Sequence, residues 1–270
     1  MAKLIRLDKL LVDKKLAANK LIAQSYIESG RVYINGIKSD KINRQVPPDI
    51  SLKLDIQDKK WVSRGALKLL KALNDFKIVP ENKVCVDIGA STGGFTDVLI
   101  TKKAKHVYAV DVGYGQLAWK LQNHPKVSIL DRTNARFLTT DMLDKQKVDI
   151  IVLDVSFISI TKLLFPLEKL LKEEGEMVVL LKPQFEANKD EINGGVISEQ
   201  SIHTRIIERI FYFIDKETNL SLINATYSPV KGHEGNIEFL LHLSKEKVWK
   251  ERPTGNINID YLVKNAYKFT

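Results

Sequence analysis

Seven short apolar runs recur between Val84 and Leu243: Val84–Ile88, Val107–Val110, Val127–Leu130, Val148–Leu153, Met177–Leu181, Leu222–Tyr227 and Ile237–Leu243. Continuous rather than alternating apolar runs mark strands covered on both faces, and the helix-length spacers between the first six suit the crossovers that parallel strands need. The pattern predicts an α/β fold, doubly wound about a mostly parallel sheet of about seven strands. Only a loop joins the last two runs, so an antiparallel pair is expected at one edge. Ahead of the first run, Ala66, Leu69, Leu70, Leu73 and Phe76 share one helical stripe, and Ile257 to Tyr267 has an amphipathic pattern expected to pack on the sheet.

The first 58 residues follow a different rhythm. Leu7, Leu10, Leu11 and Leu16, then Leu21, Ile22, Tyr26 and Ile27, have helical spacing in two blocks, and Gly30 ends the second. Arg31 to Ile37 alternates around Asn35-Gly36, a strong hairpin signal. Val46-Pro47-Pro48-Asp49 breaks the unit, Ile50–Ile56 reads as a returning strand, and Asp58-Lys59-Lys60 is polar. We therefore expect a small α+β domain over 1–58, a linker over 59–63 and a large domain over 64–270, with the apolar pair Trp61-Val62 docked on one of them.

Charge is concentrated in the small domain. Residues 1–60 hold 13 Lys and Arg against 7 Asp and Glu, so +6 of the net +9 lies there. A polyanionic partner is the reading that this distribution favours. The single cysteine, Cys85, excludes an internal disulfide and a multi-thiolate metal site, and the histidines lack metal-ligand spacing. The richest apolar stretch, Ile150–Ile160, is interrupted by Asp154 and Ser156, well short of the roughly 18 apolar residues of a membrane span. The charged N-terminus is no signal peptide. The expectation is a cytoplasmic chain without stable membrane association and without a metal.

The first run ends in Asp87-Ile-Gly-Ala-Ser-Thr-Gly-Gly-Phe-Thr96, a Gly-rich turn opening a helix where open α/β sheets bind ligands. It is neither the G-x-G-x-x-G dinucleotide fingerprint nor a P-loop. The second run ends in Asp111, placed to accept ribose hydroxyls. This is the general form of an S-adenosylmethionine (SAM) site. Its expected members are Asp87, Gly89, Ala90, Ser91, Thr92, Gly93, Gly94, Phe95 and Asp111.

These motifs, together with Asp111-Val-Gly-Tyr-Gly-Gln116, Asp154-Val-Ser-Phe-Ile-Ser159, Lys182-Pro-Gln-Phe-Glu186 and Gly235-Asn-Ile-Glu-Phe239, resemble the TlyA family of haemolysins and ribosomal RNA (rRNA) methyltransferases. Arg6-Leu-Asp-Lys-Leu10 and Gly30-Arg-Val-Tyr-Ile-Asn-Gly36 are similar to the S4-type RNA-binding domain, although Asn19-Lys20 replaces its usual Ser-Arg. The resemblance implies a Rossmann-like, FtsJ-type SAM-dependent methyltransferase acting on the ribose 2'-hydroxyl of a cytidine in rRNA, within one or both ribosomal subunits. It further implies a catalytic tetrad of Lys68, Asp154, Lys182 and Glu238, with Asp154 and Asn134 also expected at the SAM site, and an RNA grip through Lys3, Arg6, Lys9, Lys20, Arg31, Lys38 and Arg64.

Transfer of a methyl group to a ribose hydroxyl is an in-line displacement that requires the hydroxyl to lose its proton. A desolvated Lys182 beside a second cation, Lys68, suits that role, with Asp154 and Glu238 holding the lysines. Methylation of cytosine carbon 5 would need a cysteine nucleophile, and Cys85 lies in the first strand, away from its carboxyl end. Exocyclic amine methylation uses Asp/Asn-Pro-Pro-aromatic, where this chain has Asp154-Val-Ser-Phe. Two other functions stay open: a membrane-active haemolysin, and a non-catalytic rRNA-binding assembly factor.

Overall fold

Helices α1 (Leu7–Asp13) and α2 (Lys20–Glu28) bury the two apolar stripes of the N-terminal segment, with Leu7, Leu10, Leu11, Ala23 and Ile27 packed against Val32, Ile34 and Val46. Asn19 stands at the start of α2 and its Oδ1 accepts the Ile22 amide at 2.9 Å, so this residue serves as a helix cap. Strands β2 (Val32–Ile34) and β3 (Ile37–Ser39) form the hairpin around Asn35 and Gly36, at φ 49° and 81°. Two left-handed residues are what the favoured two-residue hairpin turn demands.

The returning strand is shorter than expected, β5 (Leu52–Leu54), paired to the other side of β2. A two-residue ladder between β1 (Ile5–Arg6) and β4 (Gln45–Val46) was not anticipated, because two residues carry no periodicity. These elements belong to a unit spanning Met1–Lys59, and a second unit spans Lys60–Thr270. The structure, a computed structural model, describes residues 4–17, 19–28, 30–55, 61–192, 194–245 and 257–270.

In the second unit seven strands lie in the order β11-β12-β10-β9-β6-β7-β8. They are β6 (Val84–Ile88), β7 (His106–Val110), β8 (Val127–Leu130), β9 (Val148–Leu153), β10 (Leu171–Leu181), β11 (Ser221–Tyr227) and β12 (Phe239–Ser244). Neighbours from β10 to β8 are parallel, and β12 runs antiparallel to both β10 and β11. Two boundaries differ from expectation by more than one residue. β10 starts at Leu171 because Lys172-Glu-Glu-Gly175, polar in sequence, extends it through an irregular register. β12 starts at Phe239, so Glu238 precedes the strand rather than lying within it.

Alternation along the strands divides the core into two layers. Cys85, Ile150, Val152, Val178 and Leu180 face α3 (Ala66–Phe76) and α4 (Gly94–Thr101). Val84, Val86, Ile151, Leu153, Val179 and Leu181 face α6 (Thr161–Glu168), α7 (Gln200–Glu217) and α8 (Ile259–Phe269), while the four-residue α5 (Trp119–Gln122) lies before β8. Burial pushes the Cys85 thiol far above its ordinary value, and the group is inert packing. Trp61 packs on the first layer and Val62 on the Ala90–Leu121 cluster, so the pair docks on the second unit. No helix among the described residues is long and apolar enough to cross a membrane.

Candidate active site

Every candidate catalytic and cofactor residue lies at the carboxyl ends of the parallel strands or in a segment that packs there. β6 delivers Asp87, which is fully buried and accepts the Thr96 amide at 2.8 Å and the Thr96 hydroxyl at 2.6 Å through Oδ2. Its other oxygen, Oδ1, is buried without a hydrogen-bond partner. Burial, partly opposed by the Thr96 bonds and reinforced by Asp154 and Asp111, pushes this carboxyl up to about 7.

The turn that follows is folded by close approach. Gly89 adopts φ 80°, and a Cβ there would lie 2.3 Å from the Asp154 carbonyl oxygen, so only glycine lets the first and fourth strand ends meet. Asp111, at the end of β7, accepts the Ser91 amide at 2.8 Å and the Gly113 amide at 2.7 Å. The aspartate thereby shapes the turn it faces while its remaining lone pairs stay available.

Two cavities open at this edge. One, of about 280 Å³, is lined by Asp87, Gly89, Ser91, Asp154, Ser156 and Lys182. The other, of about 530 Å³, is lined by Ile88, Asp111, Asn134, Asp154, Phe157 and Leu163. Asp154 and Ser156 border both. An unpartnered buried carboxylate oxygen suits an ammonium group, Asp111 suits hydroxyls, and the Ile88 and Leu163 walls suit a flat heterocycle. The donor set therefore fits an aminoacyl nucleoside. Thr92, Gly94, Ala90 and Phe95 line the smaller cavity, and Gly93 sits behind the turn with its Cα toward Leu117 and Leu121.

Four charged side chains converge beside these cavities. Lys182 Nζ is 2.7 Å from Asp154 Oδ1 and donates to Ser156 Oγ at 2.9 Å. Lys68 Nζ lies 2.5 Å from Glu238 Oε2 and 3.9 Å from Asp154 Oδ2. Lys68, Lys182 and Glu238 are buried. Burial raises the Glu238 carboxyl above its ordinary value against the pull of Lys68 and Lys182. Gly232 packs onto the Glu238 carboxylate so closely that a Cβ would lie 2.2 Å from Oε1.

Strand direction explains the convergence. β9 and β10 run side by side and release Asp154 and Lys182 at the same edge. β12 runs the opposite way, pairing Phe239 with Leu181, so the residue before it, Glu238, starts where β10 ends.

Some neighbours escaped the sequence reading. Phe157 is 92% exposed in the left-handed region at φ 64°, a conformation unusual for an aromatic residue, and its ring lies 5.1 Å from that of Phe185. Tyr114, Trp119 and Phe137 are also exposed, and the Arg132 guanidinium sits 4.4 Å from the Tyr114 ring. Isolated aromatic residues in polar loops carry no periodic signal, so only exposure reveals them.

Among the expected RNA contacts, Lys9, Lys20, Lys38 and Arg64 are exposed. Arg31 is half-buried, with its guanidinium 5.9 Å from the Tyr26 ring. Arg6 is committed to a fork on Asp8, with Nη2 at 2.8 Å, which holds that carboxyl down to about 2. Lys3 lies outside the described residues. The strand register adds a row that the sequence reading missed: Tyr33 pairs with Lys38 on one side and Lys53 on the other, placing an aromatic ring between two lysines on one sheet face.

The FtsJ-like methyltransferase family model matches residues 61–245, and the S4 domain model matches residues 5–49. The chain is 40% identical over 245 residues to the 16S/23S rRNA (cytidine-2'-O)-methyltransferase TlyA of Mycobacterium tuberculosis, covering 90% of this chain and 91% of that one. It is 40% identical over 240 residues to Hemolysin A of Brachyspira hyodysenteriae, covering 88% and 99%. A solved structure described as a hemolysin from Streptococcus thermophilus superposes with a TM-score of 0.75 at 37% identity, covering 99% of this chain and 97% of that one.

Proposed function

The chain belongs to the TlyA family of FtsJ-like rRNA methyltransferases, and from that premise we propose that it methylates the ribose 2'-hydroxyl of a cytidine in rRNA, using SAM. The observation that carries this reading is the buried group of Lys68, Asp154, Lys182 and Glu238 beside a cavity with an unpartnered carboxylate oxygen. SAM, when bound, supplies an electrophilic methyl group. Asp87 Oδ1 receives its ammonium group, Asp111 its ribose hydroxyls, and Asn134 borders the slot for its base.

Lys182 Nζ accepts the proton of the substrate hydroxyl. Asp154 and Ser156 fix where that nitrogen points, and Lys68, anchored on Glu238, neutralises the second oxygen of Asp154. Phe157 offers the extruded cytosine a stacking face beside Lys182. The N-terminal domain, residues 1–58, grips RNA phosphates through Lys9, Lys20, Arg31 and Lys38, with Lys3, while Arg6 stays on Asp8, and Arg64 of the catalytic domain adds a further contact. The chain acts in the cytoplasm on ribosomal subunits.

Incubation with labelled SAM and each purified ribosomal subunit tests the reading. Label mapped to a cytidine ribose supports it. Label on a base, or none on either subunit, overturns it. A Phe157→Ala substitution is expected to raise the KM for the subunit by roughly 5- to 100-fold, the worth of one base stack, with S-adenosylhomocysteine binding unaltered. Steady-state kinetics and calorimetry check the two halves.

A further inference from the structure

Beyond the strand ends, the ladder between β9 and β10 no longer holds the two loops that carry Asp154, Ser156 and Phe157 on one side and Lys182 and Phe185 on the other; its last pair is Leu153 with Val179. Lys182 itself reaches Asp154 and Ser156, and farther along both loops a second side chain joins them. Glu186 Oε2 accepts the Ser159 hydroxyl at 2.6 Å, and Oε1 accepts the Ile160 amide at 2.8 Å. Ser159 Oγ in turn accepts the Thr161 amide at 3.2 Å and lies 2.7 Å from Thr161 Oγ1. On the other side, the Glu186 backbone carbonyl accepts a bond from Arg209 of α7.

The carboxylate accepts the amide of Ile160, the residue before α6, whose own side chain offers no cap, and holds the Ser159 hydroxyl that accepts the first amide of the helix, Thr161. A serine or aspartate at that position would cap the helix locally. A glutamate that reaches in from another segment, with burial raising its carboxyl above the ordinary value, is the more expensive solution unless the connection itself matters. What it connects is the loop bearing Phe157 with the loop bearing Lys182, whose rings Phe157 and Phe185 already touch.

We propose that Glu186 is a positioning residue for methyl transfer: acting through Ser159 and Ile160, it clamps the Phe157 loop against the Lys182 loop and so sets the seat of the target nucleotide. This deepens the ribose-methylation reading and rests on it.

Glu186→Gln tests the clamp, because the amide keeps the shape but offers one acceptor oxygen to two donors. Ser159→Ala removes one of the same bonds by another route. In the full-length chain acting on the ribosomal subunit, Glu186→Gln is expected to lower kcat by about 10- to 100-fold while affinity for S-adenosylhomocysteine changes by less than about threefold. The double variant should be no worse than Glu186→Gln alone, since both changes open one clamp. Glu186→Asp, which retains the charge, should recover part of the rate.

Wild-type kcat and KM in Glu186→Gln overturn the positioning role alone. So does a loss of cofactor-product affinity in proportion to the loss of rate, which would make Glu186 a structural residue of the whole domain. Failure of the wild-type chain itself to label either subunit overturns the underlying reading and this role with it.

Discussion

Replacing Lys182 with alanine is expected to slow ribose methylation by roughly 10²- to 10⁴-fold, the contribution of a positioned general base, with little change in cofactor affinity. Loss of the amine removes the only described nitrogen that sits within hydrogen-bonding distance of both Asp154 and Ser156 at the cavity wall. Lys182→Arg separates two explanations. Arginine keeps the positive charge opposite Asp154 but does not give up its proton in proteins. If Lys182 acts by accepting the hydroxyl proton, Lys182→Arg should be about as slow as Lys182→Ala. An arginine variant with near wild-type single-turnover rate would assign the residue to charge placement instead.

Asp87→Asn should act in opposite directions on stability and binding. The folded carboxyl titrates near 7, against about 3.8 for an ordinary aspartic acid. The folded chain therefore holds a proton where the unfolded chain has released it. The favourable contribution is complete below about pH 4 and is lost as pH rises through about 7, so at neutral pH the ionised group costs stability. Asparagine keeps an acceptor for the Thr96 amide and hydroxyl and removes that cost. A gain on the order of 1 to 3 kcal/mol, or about 2 to 8 °C in Tm at pH 7.5, is expected.

Binding of S-adenosylhomocysteine should weaken at least about tenfold in the same variant, because a charge-assisted bond to its ammonium is lost. In the wild type that affinity should fall as pH drops below about 7 and Asp87 gains its proton, and the variant should not follow that trend. Calorimetry and thermal melts between pH 6 and 8 check both effects. Destabilisation of Asp87→Asn at pH 7.5 would show that the charge is structural rather than held in reserve for a cation.

Much of the candidate site is legible in the sequence. Asp87, the glycines and Asp111 announce themselves because a buried strand ending in a Gly-rich turn is a local event, contained in a dozen residues. Lys68, Asp154, Lys182 and Glu238 were legible only through the family resemblance. Their own signals, a lysine in an amphipathic helical segment and single charges within or at the ends of apolar runs, fit an exposed surface as well as a buried pair. Phe157 and Glu186 were invisible for a related reason: an exposed aromatic ring in a left-handed conformation and a carboxylate capping a distant helix leave no periodic trace.

What the sequence alone determined about this protein is the set of its parts: a small α+β unit with an Asn-Gly hairpin, seven apolar runs spaced for a doubly wound sheet, and a Gly-rich turn at the end of the first. Each follows from backbone periods of 2 or 3.6 residues and from turn chemistry, which act within a few residues of chain. Only the tertiary structure decided that β12 lies between β10 and β11 and opposes both, which brings Glu238 to Lys68 and leaves Asp154 to Lys182. Strand order and direction arise from burying both faces of the sheet at once, a condition on the whole domain, and the pairing of charges across that edge is therefore a property of the fold rather than of any segment.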